Sequence, residues 1–193
     1  MYTPWGYEVD EIPPIISEDE FNAATGNAYA GDVRLAIAIG AASAAIRNEC
    51  GWHITPELPC VATLSPSGKV AKLPANLVTE ITSVTENGRE LAAGEFEARR
   101  DGLIRRANFR EWTHRWGGVI VSYKAGYETA PELQSIAVNL VEAALNTPSG
   151  VASESAGGVS ISYRTAAVTI IAASLGSMAS TLAPYRLVSA HAI

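Results

Sequence analysis

Residues 32–54 read DVRLAIAIGAASAAIRNECGWHI, a stretch in which a helical pattern is followed by a stop. Its larger apolar residues recur at intervals of four, three and four positions, the spacing of one helix face: Leu35, Ile39, Ala42 and Ile46. Val33 and Ile37 widen this apolar stripe. Asp32 is a good cap for the first turn, and Gly51 is suited to close the helix. The pattern predicts a helix from Val33 to about residue 48.

Further helical segments lie on both sides of this one. Ser17 is followed three residues later by Glu20, which is a capping-box signature for a short helix. Pro131 is a favoured first helical residue, and an amphipathic stripe follows it: Leu133, Ile136, Ala137, Leu140, Val141, Ala144 and Leu145. A last helix is predicted over residues 166–182, where Gly176 and a β-branched run weaken the pattern.

The chain between these helices changes character, because prolines punctuate short β-prone segments from residue 52 to residue 125. Asn87 and Gly88 predict a tight hairpin turn, since both residues tolerate a positive φ. Gly102, in an Arg-Asp-Gly stretch, predicts a second hairpin, and the residues from Val119 to Tyr123 predict a further strand. This region is interpreted as a small antiparallel β module.

Together these elements predict an α+β fold: a helical bundle core with an inserted small antiparallel β module and extended termini. The helical core is assigned to residues 17–54 and 128–183, and the β-rich insertion to residues 55–127. Residues 1–16, rich in proline and acid, are predicted to be an extended N-terminal arm, and residues 184–193 a C-terminal docking tail. The many alanines allow helices to approach closely, including helices of neighbouring subunits.

Charge is distributed unevenly along the chain. The net charge is −6, and residues 1–50 hold eight acids and two bases, whereas residues 99–124 hold seven bases and two acids. Opposite patches on one chain suit contacts between identical copies. The alternative is that both patches are solvated faces. The overall acidic balance argues against a protein that coats nucleic acid, which usually needs a basic footprint.

The compartment is constrained by cysteine usage and hydropathy. Cys50 and Cys60 are too few for a disulfide framework and favour a reducing compartment. The N-terminus lacks a basic region followed by an apolar stretch, so no signal peptide is expected. The weakly polar run from Leu35 to Ile46 is too short to span a bilayer. We therefore expect a soluble protein that is made in a cytoplasm and has no membrane partner.

Catalytic and metal-binding patterns are sparse. Cys50 and His53 could form a nucleophile and its base, but a buried cysteine beside a packed histidine is the favoured interpretation. Cys60 and His114 complete four zinc-ligand types without any paired ligand motif. The sequence has neither a glycine-rich phosphate loop nor a Gly-x-Ser-x-Gly elbow. We expect no catalytic residue, no cofactor and no metal site.

Three aromatic residues, Phe109, Trp112 and Trp116, interleave with the basic stretch at 99–115. Such a mixture can stack on single-stranded nucleic acid and neutralise it. The favoured interpretation is that the arginines lie on the solvated face of a hairpin and the tryptophans cover its base. A third alternative is contact with an acidic neighbouring subunit.

Three stretches in a fixed order resemble a known family. They are Arg-Asn-x-Cys-Gly-Trp-His at 47–53, Tyr-Lys-Ala-Gly-Tyr at 123–127, and Glu-Ser-Ala-Gly-x-Val-Ser-x-Ser-Tyr at 154–163, and a late Tyr-Arg follows them. From about residue 17 to residue 186, the chain resembles the head–tail adaptor (connector) proteins of long-tailed (siphovirus) bacteriophages, particularly those of actinobacterial hosts. None of the stretches is a catalytic motif, and the resemblance depends on their ordered combination.

The resemblance implies a structural virion protein without enzymatic activity or cofactor. Members of the family form a ring of about twelve copies at the head–tail junction. The ring binds the portal protein above and a stopper or tail terminator protein below, and double-stranded DNA passes through its central channel. The host cytoplasm is the expected place of assembly. The alternatives are another neck component, such as a stopper or tail terminator, or a Cys/His-dependent enzyme.

Two sets of contact residues are predicted on this basis. A basic and an acidic cluster are predicted to form contacts between subunits, because their charges are opposite: Arg99, Arg105, Arg106, Glu18, Asp19 and Glu20. The C-terminal region is expected to order on binding a partner, and six of its residues are assigned to portal or stopper contacts: Tyr163, Arg164, Leu182, Tyr185, Arg186 and Leu187.

Overall fold

The structure is a computed structural model that describes residues 1–146, 154–156, 159–161, 176 and 178–187. The chain divides into two compact units, each assembled from segments that are distant in sequence. Unit 1 comprises Met1–Pro13, Cys50–Thr129 and Tyr185–Ile193, and unit 2 comprises Pro14–Glu49 and Ala130–Pro184.

Unit 1 is built from β-strands. Its described residues form eight strands: β1 Tyr7–Glu8, β2 Leu58–Leu64, β3 Val70–Lys72, β4 Val78–Glu86, β5 Arg89–Glu90, β6 Phe96–Ala98, β7 Leu103–Arg106 and β8 Val119–Ala125. Five of them form one sheet in the order β1-β2-β8-β4-β5, and three form a second sheet in the order β3-β7-β6. Every pairing in both sheets is antiparallel.

Strand β8 is the centre of the larger sheet. Its alternate residues are buried, in the order Val119, Val121, Tyr123 and Ala125, while Ile120 and Lys124 between them are exposed. Val121 lies opposite Ala62 of β2 and Val84 of β4, and both of these partners are fully buried. The period of two therefore places one face of the sheet in the core and the other toward solvent.

Both predicted hairpin turns are confirmed. Asn87 (φ 52°) and Gly88 (φ 82°) connect β4 to β5 with the positive φ angles that a tight turn requires. Gly102 (φ 81°) lies between β6 and β7. A Cβ atom at Gly102 would lie 2.8 Å from the carbonyl oxygen of Ala75, so this turn requires glycine.

The N-terminal segment is an edge strand of the larger sheet. Tyr7 lies opposite Ala62, and Glu8 lies opposite Val61. The Thr3 hydroxyl donates a hydrogen bond to the carbonyl oxygen of Tyr7 at 2.8 Å, and the Tyr7 side chain is fully buried. The extended arm is thus part of the packing of unit 1.

Unit 2 contains the described helices, apart from the last residue of the second one: α1 Glu18–Ala24, α2 Leu35–Cys50, α3 Pro131–Leu145 and α4 Ala179–Leu182. The predicted capping box is present at α1, because Ser17 Oγ accepts a hydrogen bond from the Glu20 N–H and the Glu20 carboxylate accepts one from the Ser17 N–H. Helix α3 begins at Pro131 and buries nearly all of its predicted stripe: Leu133, Ile136, Ala137, Leu140, Val141 and Leu145.

Four residues of the apolar stripe predicted for α2 are buried, and two others are exposed. The predicted core residues are buried: Leu35, Ile39, Ala42 and Ile46. Gly51 (φ 79°) follows the last residue of the helix, as predicted. Val33 and Ile37, however, are 92% and 75% exposed, so the prediction that they widen the buried stripe is wrong.

The remaining described elements are short. In unit 2, β9 Glu154–Ala156 pairs with β10 Val159–Ile161, and a 3₁₀ turn at Ala183–Tyr185 follows α4. Of the helix predicted over residues 166–182, the structure describes little more than α4, and residues 166–175 lie outside the described part. None of the described helices is both long and apolar enough to cross a membrane.

The predicted helical bundle core is wrong. In the described part of the chain, eight strands in two antiparallel sheets form unit 1, and the four helices do not make a helical bundle core. Helical periodicity is conspicuous because it persists over about fifteen residues, whereas five of the eight strands have only two to four residues and carry little pattern of their own. The fold is a mixed one, with a β unit too large to be a small insertion. The domain scheme drawn from the sequence stays a prediction.

Candidate partner-binding surfaces

All three predicted basic contact residues have acidic partners within the chain, and two of them, Arg99 and Arg105, are exposed. Arg99 pairs with Asp101 at 2.7 Å, and Arg105 pairs with Glu97 at 2.6 Å. The Arg105 guanidinium also lies 4.7 Å from the centre of the Phe109 ring. Both arginines are exposed, and the nearby carboxylates offset part of their charge. Their role between subunits stays a prediction.

Arg106 forms a buried ion pair within unit 1. It is 9% exposed, and its Nη1 lies 2.6 Å from Glu86 Oε2. The second carboxylate oxygen of Glu86 accepts a hydrogen bond from the backbone N–H of Thr113 at 2.8 Å. The Arg106 guanidinium also lies 5.8 Å from the Trp112 ring centre. One carboxylate therefore joins β4, β7 and the segment that follows β7.

We call residues 107–118, between β7 and β8, the basic aromatic loop. Trp112 is 1% exposed, and its backbone N–H donates to the carbonyl oxygen of Gly68 at 2.9 Å. Phe109 and Trp116 in the same loop are 59% and 91% exposed. The interpretation that tryptophans cover the base of the hairpin therefore holds for Trp112, while the other two aromatic rings face solvent.

The predicted acidic cluster lies in the first turn of α1 and is exposed. Glu20 accepts hydrogen bonds from the backbone N–H and the hydroxyl of Ser17, both at 2.8 Å, and these bonds lower the pKa of its carboxyl group. Glu18 and Asp19 form no ion pair with any residue that the structure describes. The acids also suit the positive end of the helix dipole, and their contact with a neighbouring subunit stays a prediction.

His53 is embedded in unit 1 and is 1% exposed. Its Nε2 lies 2.9 Å from the carbonyl oxygen of Ala125, which can only accept, so Nε2 carries a proton. Its Nδ1 lies 2.7 Å from the Tyr7 hydroxyl, and the His53 backbone N–H donates to the same hydroxyl oxygen at 3.0 Å. A neutral His53 whose Nδ1 accepts a hydrogen bond from the Tyr7 hydroxyl satisfies all three contacts. The histidine thereby links the N-terminal strand to the end of β8.

The cysteines lie in the interior. Cys50 and Cys60 are each 2% exposed and are not joined in a disulfide. Burial raises the pKa of the Cys60 thiol to about 12, so it carries a proton at neutral pH. No group of three or more potential metal ligands occurs within the described residues. Neither thiol is exposed in the way that a reactive cysteine usually is.

The start of the predicted docking tail is attached to unit 1. The Trp52 indole N–H donates to the carbonyl oxygen of Tyr185 at 2.6 Å, and the Leu187 N–H donates to that of Cys50 at 2.8 Å. Arg186 and Leu187 are half-buried, and Leu182 is fully buried in unit 2. Tyr163 and Arg164 lie outside the described residues. Contact of these residues with a partner stays a prediction.

The exposed face of α2 was not identified from the sequence. Ile37, together with Val33 in the turn just before the helix, projects into solvent, and small residues continue the same exposed side of the helix: Ala36, Gly40, Ala41 and Ala44. No charged residue interrupts this face between Arg34 and Arg47. Helix geometry already indicated that Ile37 is exposed. Residues two apart on a helix point in directions about 200° apart, so Ile37 could not share a buried face with Leu35.

Known structures share this architecture. A chain in the neck of an empty GTA particle, computed with C6 symmetry, matches with a TM-score of 0.55 at 17% identity over 95% of this chain and 96% of that chain. A chain in the neck of a native GTA particle, computed with C12 symmetry, matches with a TM-score of 0.55 at 17% identity over 94% and 96%. Comparison with curated protein sequences finds no significant match.

The fold is therefore one that also occurs among structural proteins of a particle neck. The model of the family described as "HCP: Head completion protein" matches residues 14–176, well over half of the chain. The chain belongs to the head completion protein family. It is a structural component of the phage neck at the head–tail junction, which confirms the prediction of a structural neck protein.

Proposed function

We propose that the protein is the adaptor of the neck, a ring of about twelve identical copies that joins the portal to the stopper or tail terminator. The family match over residues 14–176 carries this proposal, because it includes α1, α2, α3 and every strand of unit 1 except β1. A similar fold in a neck computed with C12 symmetry supports the copy number. Double-stranded DNA passes through the ring, and assembly takes place in the host cytoplasm.

The exposed apolar face of α2 supports self-association. Val33 and Ile37 lie four residues apart, with 92% and 75% of their surfaces in contact with water. Removing such surface from water stabilises a complex by about 25 cal/mol per Å². The small residues beside them allow another chain to approach closely. A neighbouring copy in a ring would cover this face.

Catalysis has no part in the proposed function. The Cys/His alternative needs a histidine that is available to take a proton from a thiol. Both ring nitrogens of His53 lie within hydrogen-bonding distance of groups in unit 1, and the Cys50 side chain is buried at 2% exposure. The acidic net charge of −6 suits a channel through which DNA slides without adhering.

Another neck component is the second candidate. Stopper and tail terminator proteins are usually richer in β-structure than adaptors, and the eight strands of unit 1 favour this alternative. The two candidates differ in where they bind. An adaptor binds the portal directly, whereas a stopper requires the adaptor and a tail terminator binds the tail.

Mass measurement and binding together test the proposal. Mass photometry of the purified protein is expected to give a particle of about 240 kDa, twelve copies of a 20.3 kDa chain. Co-sedimentation with tail-free heads that carry only the portal is expected to show direct binding. A protein that stays monomeric and binds isolated tails but not such heads would refute the adaptor assignment.

A further inference from the structure

The basic aromatic loop exposes two large rings on a supported framework. Trp116 is 91% exposed and Phe109 is 59% exposed. Tryptophan and arginine are the residue types that most often dominate binding energy at protein interfaces. An aromatic ring that contacts water over nine-tenths of its surface can lose most of that contact on binding.

The loop is held at several points along its length. The Trp112 N–H donates to Gly68, and the Thr113 N–H donates to Glu86 at 2.8 Å. Near its end, the Gly117 N–H donates to the Ser65 hydroxyl at 2.8 Å. A loop fixed in this way loses little conformational freedom when a partner binds, which favours affinity.

Two loop arginines retain their full charge. Among the seven bases of residues 99–124, four form ion pairs: Arg99 with Asp101, Arg105 with Glu97, Arg106 with Glu86, and Lys124 with Glu80. The other three, Arg100, Arg110 and Arg115, form no ion pair within the part of the chain that the structure describes. Two of these three, Arg110 and Arg115, flank Phe109 and Trp116, so most of the positive charge available to a partner lies beside the exposed rings.

A second copy of the chain offers the complementary charge. Residues 99–124 contribute +5 to a net charge of −6, so the rest of the chain carries −11. Glu18 and Asp19 are examples of exposed acids with no ion pair among the described residues. A ring of identical copies joins two different surfaces of the same chain, and unlike charges suit such a contact.

We propose that the basic aromatic loop docks on an acidic surface of the neighbouring copy, with Trp116 as the anchor and Arg110 and Arg115 as the charged rim. The inference rests on the proposed ring. In this proposal the basic residues of the subunit contact are Arg110 and Arg115, whose charge is not offset within the chain. They replace Arg99, Arg105 and Arg106, which the sequence had suggested for this role.

The first experiment measures the concentration at which half of the chains are assembled, by mass photometry of purified full-length protein. Trp116→Ala is expected to raise this concentration roughly tenfold or more. Arg110→Glu and Arg115→Glu are expected to raise it several-fold in low salt and less in high salt, because salt screens exposed charges. Arg100→Glu is the matched control: Arg100 is exposed, forms no ion pair among the described residues and lies outside the loop.

Circular dichroism and urea unfolding of each variant separate assembly from folding, and both are expected to match the wild type. If the wild type forms rings and Trp116→Ala assembles at the same concentration, the docking role is refuted while the adaptor proposal stands. If the wild type forms no ring either alone or on portal-bearing heads, both proposals fail. If Arg110→Glu weakens binding to a double-stranded DNA probe in fluorescence anisotropy and leaves assembly unchanged, the loop is a nucleic-acid surface and the inference is wrong.

Discussion

Replacing Tyr7 by Phe removes one oxygen atom from the interior of unit 1. That oxygen lies 2.7 Å from His53 Nδ1 and accepts a hydrogen bond from the His53 N–H at 3.0 Å. Tyr7 is fully buried and His53 is 1% exposed, so water cannot readily replace the hydroxyl. Each buried polar group left without a partner costs about 1–3 kcal/mol. We expect Tyr7→Phe to lower the free energy of unfolding by about 3 kcal/mol.

Tryptophan fluorescence during urea unfolding measures this change in unit 1 selectively. All four tryptophans of the chain, Trp5, Trp52, Trp112 and Trp116, lie in unit 1. With a urea dependence of about 2 kcal/mol/M, a loss of 3 kcal/mol shifts the midpoint by about 1.5 M. The control is Tyr2→Phe, the same substitution at a residue that is 63% exposed, with an expected change within about 0.5 kcal/mol. A Tyr7→Phe midpoint equal to that of Tyr2→Phe would refute the role assigned to the Tyr7–His53 contact.

Three further predictions concern other groups. Glu86→Ala leaves the Arg106 charge buried and is expected to destabilise unit 1 by roughly 3 kcal/mol in the same urea assay, and a change below about 1 kcal/mol would contradict the structural role of that pair. Cys60 is expected to react with a thiol reagent at pH 8 only after denaturation, and rapid reaction of the native protein would instead support a reactive cysteine. The pKa of the Glu20 carboxyl group is lowered in the folded chain. Its contribution to the free energy of unfolding is therefore fully present above the pKa that the group has in the unfolded chain, and it is lost as the pH falls through the pKa of the folded chain. Glu20→Gln should remove about 0.5 kcal/mol of stability at pH 7 and almost none at pH 2, measured by helical circular dichroism, and an equal loss at both pH values would contradict it.

Local signals were predictable from the sequence. The capping box at Ser17, the proline start of α3 and the Asn-Gly turn depend on residues within one turn of each other, and each is present. The apolar stripe of α3 was equally evident, because the helical spacing repeats three times along it. Such features need no knowledge of the rest of the chain.

Long-range contacts were not predictable in the same way. The pairing of Tyr7 with Ala62 joins residues that are far apart in sequence, and nothing near either residue indicates the other. The same holds for Arg106 and Glu86, whose ion pair makes a predicted surface arginine part of the interior. The overestimate of the helical core has this origin, because helices are defined locally and sheets depend on distant partners.

The candidate surfaces show the same difference between local features, which the sequence indicates, and long-range contacts, which it does not. The sequence indicated a basic region with aromatic residues, and the structure separates its members by their surroundings. Trp112 is buried, and Arg99 and Arg105 have partners within the chain. Trp116, named from the sequence as one of three aromatics, is the member that solvent contacts most. Sequence alone could not rank these residues, because burial and pairing depend on the folded β unit.

The position and copy number of the protein in the virion distinguish an adaptor ring from the other neck components. Cryo-electron microscopy of intact particles with a tagged chain would locate the protein and resolve its symmetry. We expect a ring of about twelve copies directly beneath the portal, with each basic aromatic loop against the next copy. Finding the tagged chain away from the portal, or as isolated copies without ring symmetry, would contradict it.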